Sequence, residues 1–309
     1  MKAKGSLAKG EVINDTYTIQ FLIGEGAFGE VYRVKHKYMA LQVLKLFKSS
    51  YIENTDLELV TNEARILSQL THKNVVRVFE TNSFLKEGSE HFFITMGFVS
   101  GESLAQLLKR EIRLDIPIAL SIQKALLDGL WEAHRQNHPI IHRDVTPDNV
   151  LLSYAEDTPQ ALLSDFGLAH SVDQMSQIAG AAGKYLYMAP ECFWGAYLPA
   201  SDVFSAGVVL YRMITGTYPW DYDFVAMSGK DSKTATAEVA KARNLDPKPP
   251  TQRNPDCSAA LNNIVMKAIS KDLEYRYRNA NEFLEDICNE LNSVCSNADA
   301  PVAPESLYI

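Results

Sequence analysis

The feature that most constrains this chain is a change of hydrophobic period near residue 100. From Tyr17 to about Phe98 the apolar residues come in short strand-like runs: "YTIQFLI", "VYRVKH", "MALQVLKLF", "NVVRVFETNSF" and "HFFITMGFV". One stretch interrupts them. In "LELVTNEARILSQL", Leu59, Glu63, Ile66, Leu67 and Leu70 recur at helical spacing. After Ser100–Ser103 the period becomes helical throughout, in "SLAQLLKREI", "IPIALSIQKALLDGLWEAHRQ", "SDVFSAGVVLYRMITG", "SAALNNIVMKAIS" and "ANEFLEDICNELNSV". Strands followed by helices predict a segregated α+β architecture. The expected organisation is a polar leader over 1–16 and a domain over 17–295. That domain divides into a strand-rich lobe at 17–97, a hinge at 97–101 and a helical lobe at 102–295. The small, polar, Pro-containing segment 296–309 reads as a linker, after which the native chain is expected to continue.

Composition narrows the function classes. The chain has 309 residues, 46% hydrophobic and 22% charged, enough for a substantial core. Its net charge of −8 argues against a generic nucleic-acid or anionic-membrane binder. Cys192, Cys257, Cys288 and Cys295 include no Cys-x-x-Cys pair, so zinc is not expected and the thiols read as reduced. No apolar run approaches the roughly 18 residues of a membrane helix, and no signal peptide is present, so a cytoplasmic protein is expected.

Four motifs carry the chemistry. "GEGAFGEV" places Gly24, Gly26 and Gly29 between two strands. A dinucleotide fingerprint would be followed by a helix; a strand–turn–strand flap can instead lay backbone N–H groups over phosphates. "IHRDVTPDNVLL" contains His142-Arg143-Asp144, with Asn149 five residues after the Asp. "LLSDFGLAH" supplies Asp165-Phe166-Gly167, and "YMAPE" supplies Ala189-Pro190-Glu191. Together they resemble the eukaryotic-like (Hanks-type) serine/threonine protein kinase domain, over about residues 17–291. The resemblance implies a bilobal kinase fold: a five-stranded antiparallel sheet with one helix above a mainly helical lobe.

It also implies roles. Asp144 corresponds to the catalytic base, and Asn149 and Asp165 to the ligands of two Mg2+ ions bound with ATP. Arg143 would pair with a phosphorylated residue of the activation segment or simply brace that segment, and Glu63 would pair with the phosphate-binding lysine. Ile23, Gly24, Gly26, Phe28, Gly29, Val31, Ala40, Met96, Gly97, Val99 and Leu151 correspond to the nucleotide pocket. Leu67, Val78, His142 and Phe166 resemble the apolar column linking the lobes. Asp202 resembles the anchor of the catalytic loop, and Glu191 is expected to pair with Arg276. The implied partner is a protein substrate, which autophosphorylation would extend to the kinase itself, with no nucleic acid and no membrane.

Two departures stand out. The family has Val-Ala-Ile-Lys or similar on its third strand, where this chain has "MALQVLKLF". Strand parity puts Ala40 and Gln42 on one face, so Gln42 is expected at the lysine position. A rival register makes Lys45 that lysine, with Val43 in place of the Ala. With Gln42 there, the charge that holds the phosphates is missing. The reading is then an impaired kinase, engineered or natural; the alternative is a pseudokinase scaffold acting through partners. The second departure is an exchange. Thr146 stands where the family has Lys, and Lys184 stands where it has Thr, in "GKYLYMAPE". Lys184 is expected to reach back towards Thr146 and Asp144. In the activation segment, Ser176 is the favoured candidate for phosphorylation, ahead of Ser171.

Overall fold

The computed structural model describes residues 5–26, 29–48, 67–154, 159–166, 182–227 and 232–298. Among the described residues, the small lobe holds an antiparallel sheet of six strands: β1 (Val12–Ile13), β2 (Tyr17–Glu25), β3 (Gly29–His36), β4 (Leu41–Phe47), β5 (Val78–Lys86) and β6 (Ser89–Gly97). Their spatial order is β1-β2-β3-β4-β6-β5. This is one strand more than expected, and the sixth comes from the segment read as a polar leader. Val12 and Ile13 pair with Thr18 and Tyr17. Leu7 and Ile13 are buried against Tyr32, Val34, Leu44 and Phe93 on the outer face of the sheet. The Leu7 N–H donates to the Tyr32 hydroxyl at 3.0 Å. Residues 5–16 are therefore a cover over the sheet.

That cover decides the register of β4. Leu44 and Leu46 join the outer core, and Gln42 shares their parity. Val43 and Phe47 face inward with Val76, Ile94 and Met96, and Lys45 shares that parity. The expectation that the face carrying Ala40 and Gln42 lines the nucleotide cleft is corrected: Ala40 lies in an exposed bend before β4, and Gln42 is buried on the outer face. Both faces of "LQVLKLF" are apolar, so alternation alone does not orient the strand. The position of two leucines under the N-terminal cover does. Gly29 lets the start of β3 lie close against the end of β4, because a Cβ there would meet the Leu46 carbonyl oxygen at 2.1 Å.

The larger lobe begins with β7 (Gly101–Ser103), which pairs with β8 (Val150–Ser153), itself paired with β9 (Gln160–Leu163). Its helices are α1 (Leu104–Arg110), α2 (Ile116–His134), α3 (Ala182–Tyr185), α4 (Pro199–Thr215), α5 (Phe224–Met227), α6 (Ser232–Arg243), α7 (Ala259–Ala268) and α8 (Ala280–Ala298). Ser103 and Gln106 form a reciprocal capping box that starts α1 just past the hinge. Buried α4 is the central post, packed on by α2, α7 and α8. Among the described residues no helix is long and apolar enough to cross a membrane.

Glu191 and Arg276 pair as expected, at 2.7 Å, with the Arg276 side chain fully buried. Burial opposes the Glu191 charge, but the bonds and charge of Arg276 and the bond from Ser201 hold its carboxyl below the usual glutamate range. The depressed pKa means the pair stabilises the fold above the usual glutamate range, and that contribution fades as pH falls through the lowered value. Glu191→Ala strands a buried guanidinium and should cost about 3–5 kcal/mol in chemical denaturation. Glu191→Gln should flatten the acid limb of the stability profile. At Gln42, the side-chain oxygen is buried with no hydrogen-bond partner among the described residues. Gln42→Leu should therefore leave stability unchanged or raise it by up to about 1–3 kcal/mol, whereas Gln42→Lys should lower it, as read by urea unfolding midpoints.

Candidate active site

The floor of the site is the loop between α2 and β8. Its anchor is the buried carboxylate of Asp202 on α4. Asp202 accepts the backbone N–H groups of His142 (2.7 Å) and Arg143 (2.9 Å) and a bond from His134 Nε2 (3.0 Å). These bonds hold Arg143 at φ 66°, a left-handed conformation a side-chain-bearing residue adopts only under constraint. Burial pushes the His142 imidazole pKa down, outweighing the nearby carboxylates. The neutral ring donates from Nε2 to the Ser164 carbonyl (3.0 Å) and accepts the Asp144 N–H at Nδ1 (3.3 Å). One residue thus links the Asp144 loop to the strand end that carries Asp165.

Asn149 makes a second link. Its side-chain NH2 donates to the Asp144 carboxylate (2.9 Å) and carbonyl (2.8 Å). Its backbone carbonyl accepts from the Ser164 N–H (2.9 Å) and hydroxyl (3.1 Å). Asp144, Asn149 and Asp165 are therefore brought together as the motifs predicted. Phe166 packs on His142, with ring centroids 4.5 Å apart, and shares an apolar space with Leu67, Val78 and Met96. The expected column between the lobes is in place.

Above the floor lies a cleft of about 580 Å³. Ile23, Gly24, Val31, Met96, Gly97, Val99 and Leu151 line it, as expected. Val43 and Lys45 line it as well, in the places expected of Ala40 and Gln42. The Lys45 ammonium bonds the Asp165 carboxylate at 2.8 Å, an ion pair that bridges the lobes. Burial opposes ionisation of Asp165, yet the charge and hydrogen bond of Lys45, aided by the charge of Lys184, hold its carboxyl below the usual aspartate range. Gly26 and Gly29 close the turn of the glycine-rich hairpin through a 2.8 Å backbone bond. Phe28, Glu63, Gly167, Ser171 and Ser176 lie outside the described residues.

Lys184 lies on α3, and its ammonium bonds the Asp144 carboxylate, the contact expected from the exchange with Thr146. Thr146 is buried, and its hydroxyl has no hydrogen-bond partner among the described residues. Arg143 lays its guanidinium 5.3 Å from the centre of the Tyr197 ring.

Sequence reasoning missed Arg243. In "AKARNLD" it reads as one more charge on a solvated helix face. It is in fact buried at the end of α6, where it donates to the carbonyls of Tyr185 (3.1 Å), Leu186 (2.9 Å) and Met188. Its guanidinium also lies 5.1 Å and 5.3 Å from the Phe204 and Trp220 ring centres. Arg243 therefore fixes the backbone that follows Lys184. Phe21 and Phe98, with Arg33 between them at 5.3 Å and 4.9 Å, form an unforeseen aromatic rim beside the hinge.

This arrangement can be set beside known proteins. The chain is 29% identical over 290 residues to the serine/threonine-protein kinase pkn3 of Myxococcus xanthus, covering 90% of this chain and 50% of the relative. It is 30% identical over 286 residues to the probable serine/threonine-protein kinase PknB of Lactococcus lactis, covering 90% and 42%. The chain thus spans half or less of the length of these relatives. The structure resembles the kinase domain of Mycobacterium tuberculosis PknI with a TM-score of 0.70 and 25% identity, covering 93% of this chain and all of that domain. The protein kinase domain family matches residues 17–288, and the chain belongs to that family.

Proposed function

We propose that this chain transfers the γ-phosphoryl group of ATP to serine and threonine hydroxyls of proteins, its own included, and that its phosphate-binding lysine is Lys45. The observation that carries the reading is the 2.8 Å Lys45–Asp165 pair inside the cleft. With Lys45 there, no charge is missing, and Gln42 gives no ground for an impaired enzyme or a scaffold. The serine/threonine-kinase names of the relatives support the substrate class.

Each residue then has a task. The apolar cleft walls, Val43 and Leu151 among them, would sandwich adenine beneath the glycine-rich hairpin. Lys45 would hold phosphate oxygens by charge-assisted bonds. Asp144 would orient the substrate hydroxyl and take its proton. The donor set suits Mg2+: the Asp165 carboxylate and the Asn149 amide oxygen are hard oxygens, drawn to one place by the Ser164–Asn149 bonds. When bound there, the metal supplies charge neutralisation for the phosphates.

The test is a radiolabelled phosphoryl-transfer assay on a generic protein substrate. Lys45→Met should lower kcat by about 10²–10³-fold, the size of losing one transition-state donor. Asp144→Asn should abolish transfer. Gln42→Lys should give no gain. A large gain from Gln42→Lys, with Lys45→Met neutral, would overturn the assignment.

A further inference from the structure

Lys184 and Thr146 stand in exchanged places, and the structure shows why the exchange is workable. Both line one cavity of about 280 Å³ beside the floor of the site, together with Asp148 and Tyr187. A lysine at 146 would rise from the rigid catalytic loop. Thr146 instead has a short, buried side chain that leaves its hydroxyl unpaired among the described residues. The long side chain comes from the opposite wall, where the Lys184 ammonium bonds Asp144. Its position is built rather than incidental. Arg243 grips the carbonyls of Tyr185, Leu186 and Met188, and the Tyr187 N–H bonds the Lys184 carbonyl at 3.1 Å.

We infer that Lys184 is a catalytic residue that supplies the ammonium facing the γ-phosphoryl group, so the cation belongs to the segment before Ala189-Pro190-Glu191 and not to the catalytic loop. This rests on the kinase reading above. In the transfer step, the substrate hydroxyl oxygen forms a bond to Pγ as the bond from Pγ to the β,γ-bridging oxygen breaks. The bond's electron pair leaves with ADP, and the hydroxyl proton passes to Asp144. Lys184 bridges the Asp144 carboxylate and the γ-phosphoryl oxygens and offsets charge developing between them. Chemistry in this chain is thereby tied to the seating of residues 184–188, which in turn hang on Arg243.

The experiment compares the parent chain, Lys184→Ala, Lys184→Arg, Lys184→Thr, the double exchange Thr146→Lys/Lys184→Thr, and Asp144→Asn in one phosphoryl-transfer assay. Thermal unfolding serves as the folding control. Lys184→Ala should lower kcat about 10²-fold with KM for ATP changed by only a few-fold. Lys184→Arg should keep part of the rate. The double exchange should recover at least about 10-fold over Lys184→Thr, a rescue that a purely structural role would not produce. Full kcat in a folded Lys184→Ala overturns the inference, as does a folded double exchange no faster than Lys184→Thr. The underlying reading fails separately, if Asp144→Asn is as active as the parent. A parent chain with no transfer activity overturns both.

Discussion

The ion pair between Lys45 and Asp165 is the contact on which the site depends, because it spans the boundary between the lobes. Lys45 projects from a sheet whose far face is sealed by residues 5–16. Asp165 follows a strand tied to the catalytic loop through Ser164 and Asn149. The Lys45 ammonium is buried and the Asp165 carboxylate only partly so, which makes loss of the aspartate the costly break, because it strands a buried cation. The pair therefore specifies how the strand and the loop face each other. The left-handed backbone of Asp165, φ 56°, and of Arg143, φ 66°, is held by the same network. Asp202 secures one end of it and Lys45 the other.

Most of the floor was legible in the sequence because its determinants are local. His142 to Asn149 fall within eight residues, and a short loop anchored by one carboxylate can bring them together only in a few ways. The Glu191–Arg276 pair and the interlobe column were also legible, since their residue types sit inside distinctive motifs. The orientation of β4 was not. Its two faces have similar hydrophobicity, and a one-residue slip exchanges every side chain between them. What separates the faces is the distant N-terminal segment, whose few apolar residues, Leu7 and Ile13, are diluted among polar ones. Read as a leader, that segment leaves the outer face exposed to solvent, and Gln42 moves into the cleft.

Lys184 and Arg243 mark the same boundary on the other side of the site. Lys184 was legible because the family pattern made its exchange with Thr146 conspicuous. Arg243 was not, because nothing local distinguishes a buried arginine from an exposed one at the end of a polar helix. Its role exists only once α6 folds against α3 and meets the carbonyls of Tyr185, Leu186 and Met188. Lys45 and Lys184 then bring positive charge to the site from opposite walls, one from the sheet and one from the helical lobe. An acidic chain with net charge −8 thereby presents cations in the cleft where the proposed nucleotide would sit.

The most direct test of this account is chemical labelling with an acyl-phosphate derivative of ATP, which acylates amines lying against the bound phosphates, followed by peptide mass spectrometry. The account predicts acylation of Lys45, suppressed by excess Mg·ATP. Nucleotide-dependent labelling that spares Lys45, or labelling of Lys45 that excess Mg·ATP does not suppress, would contradict it.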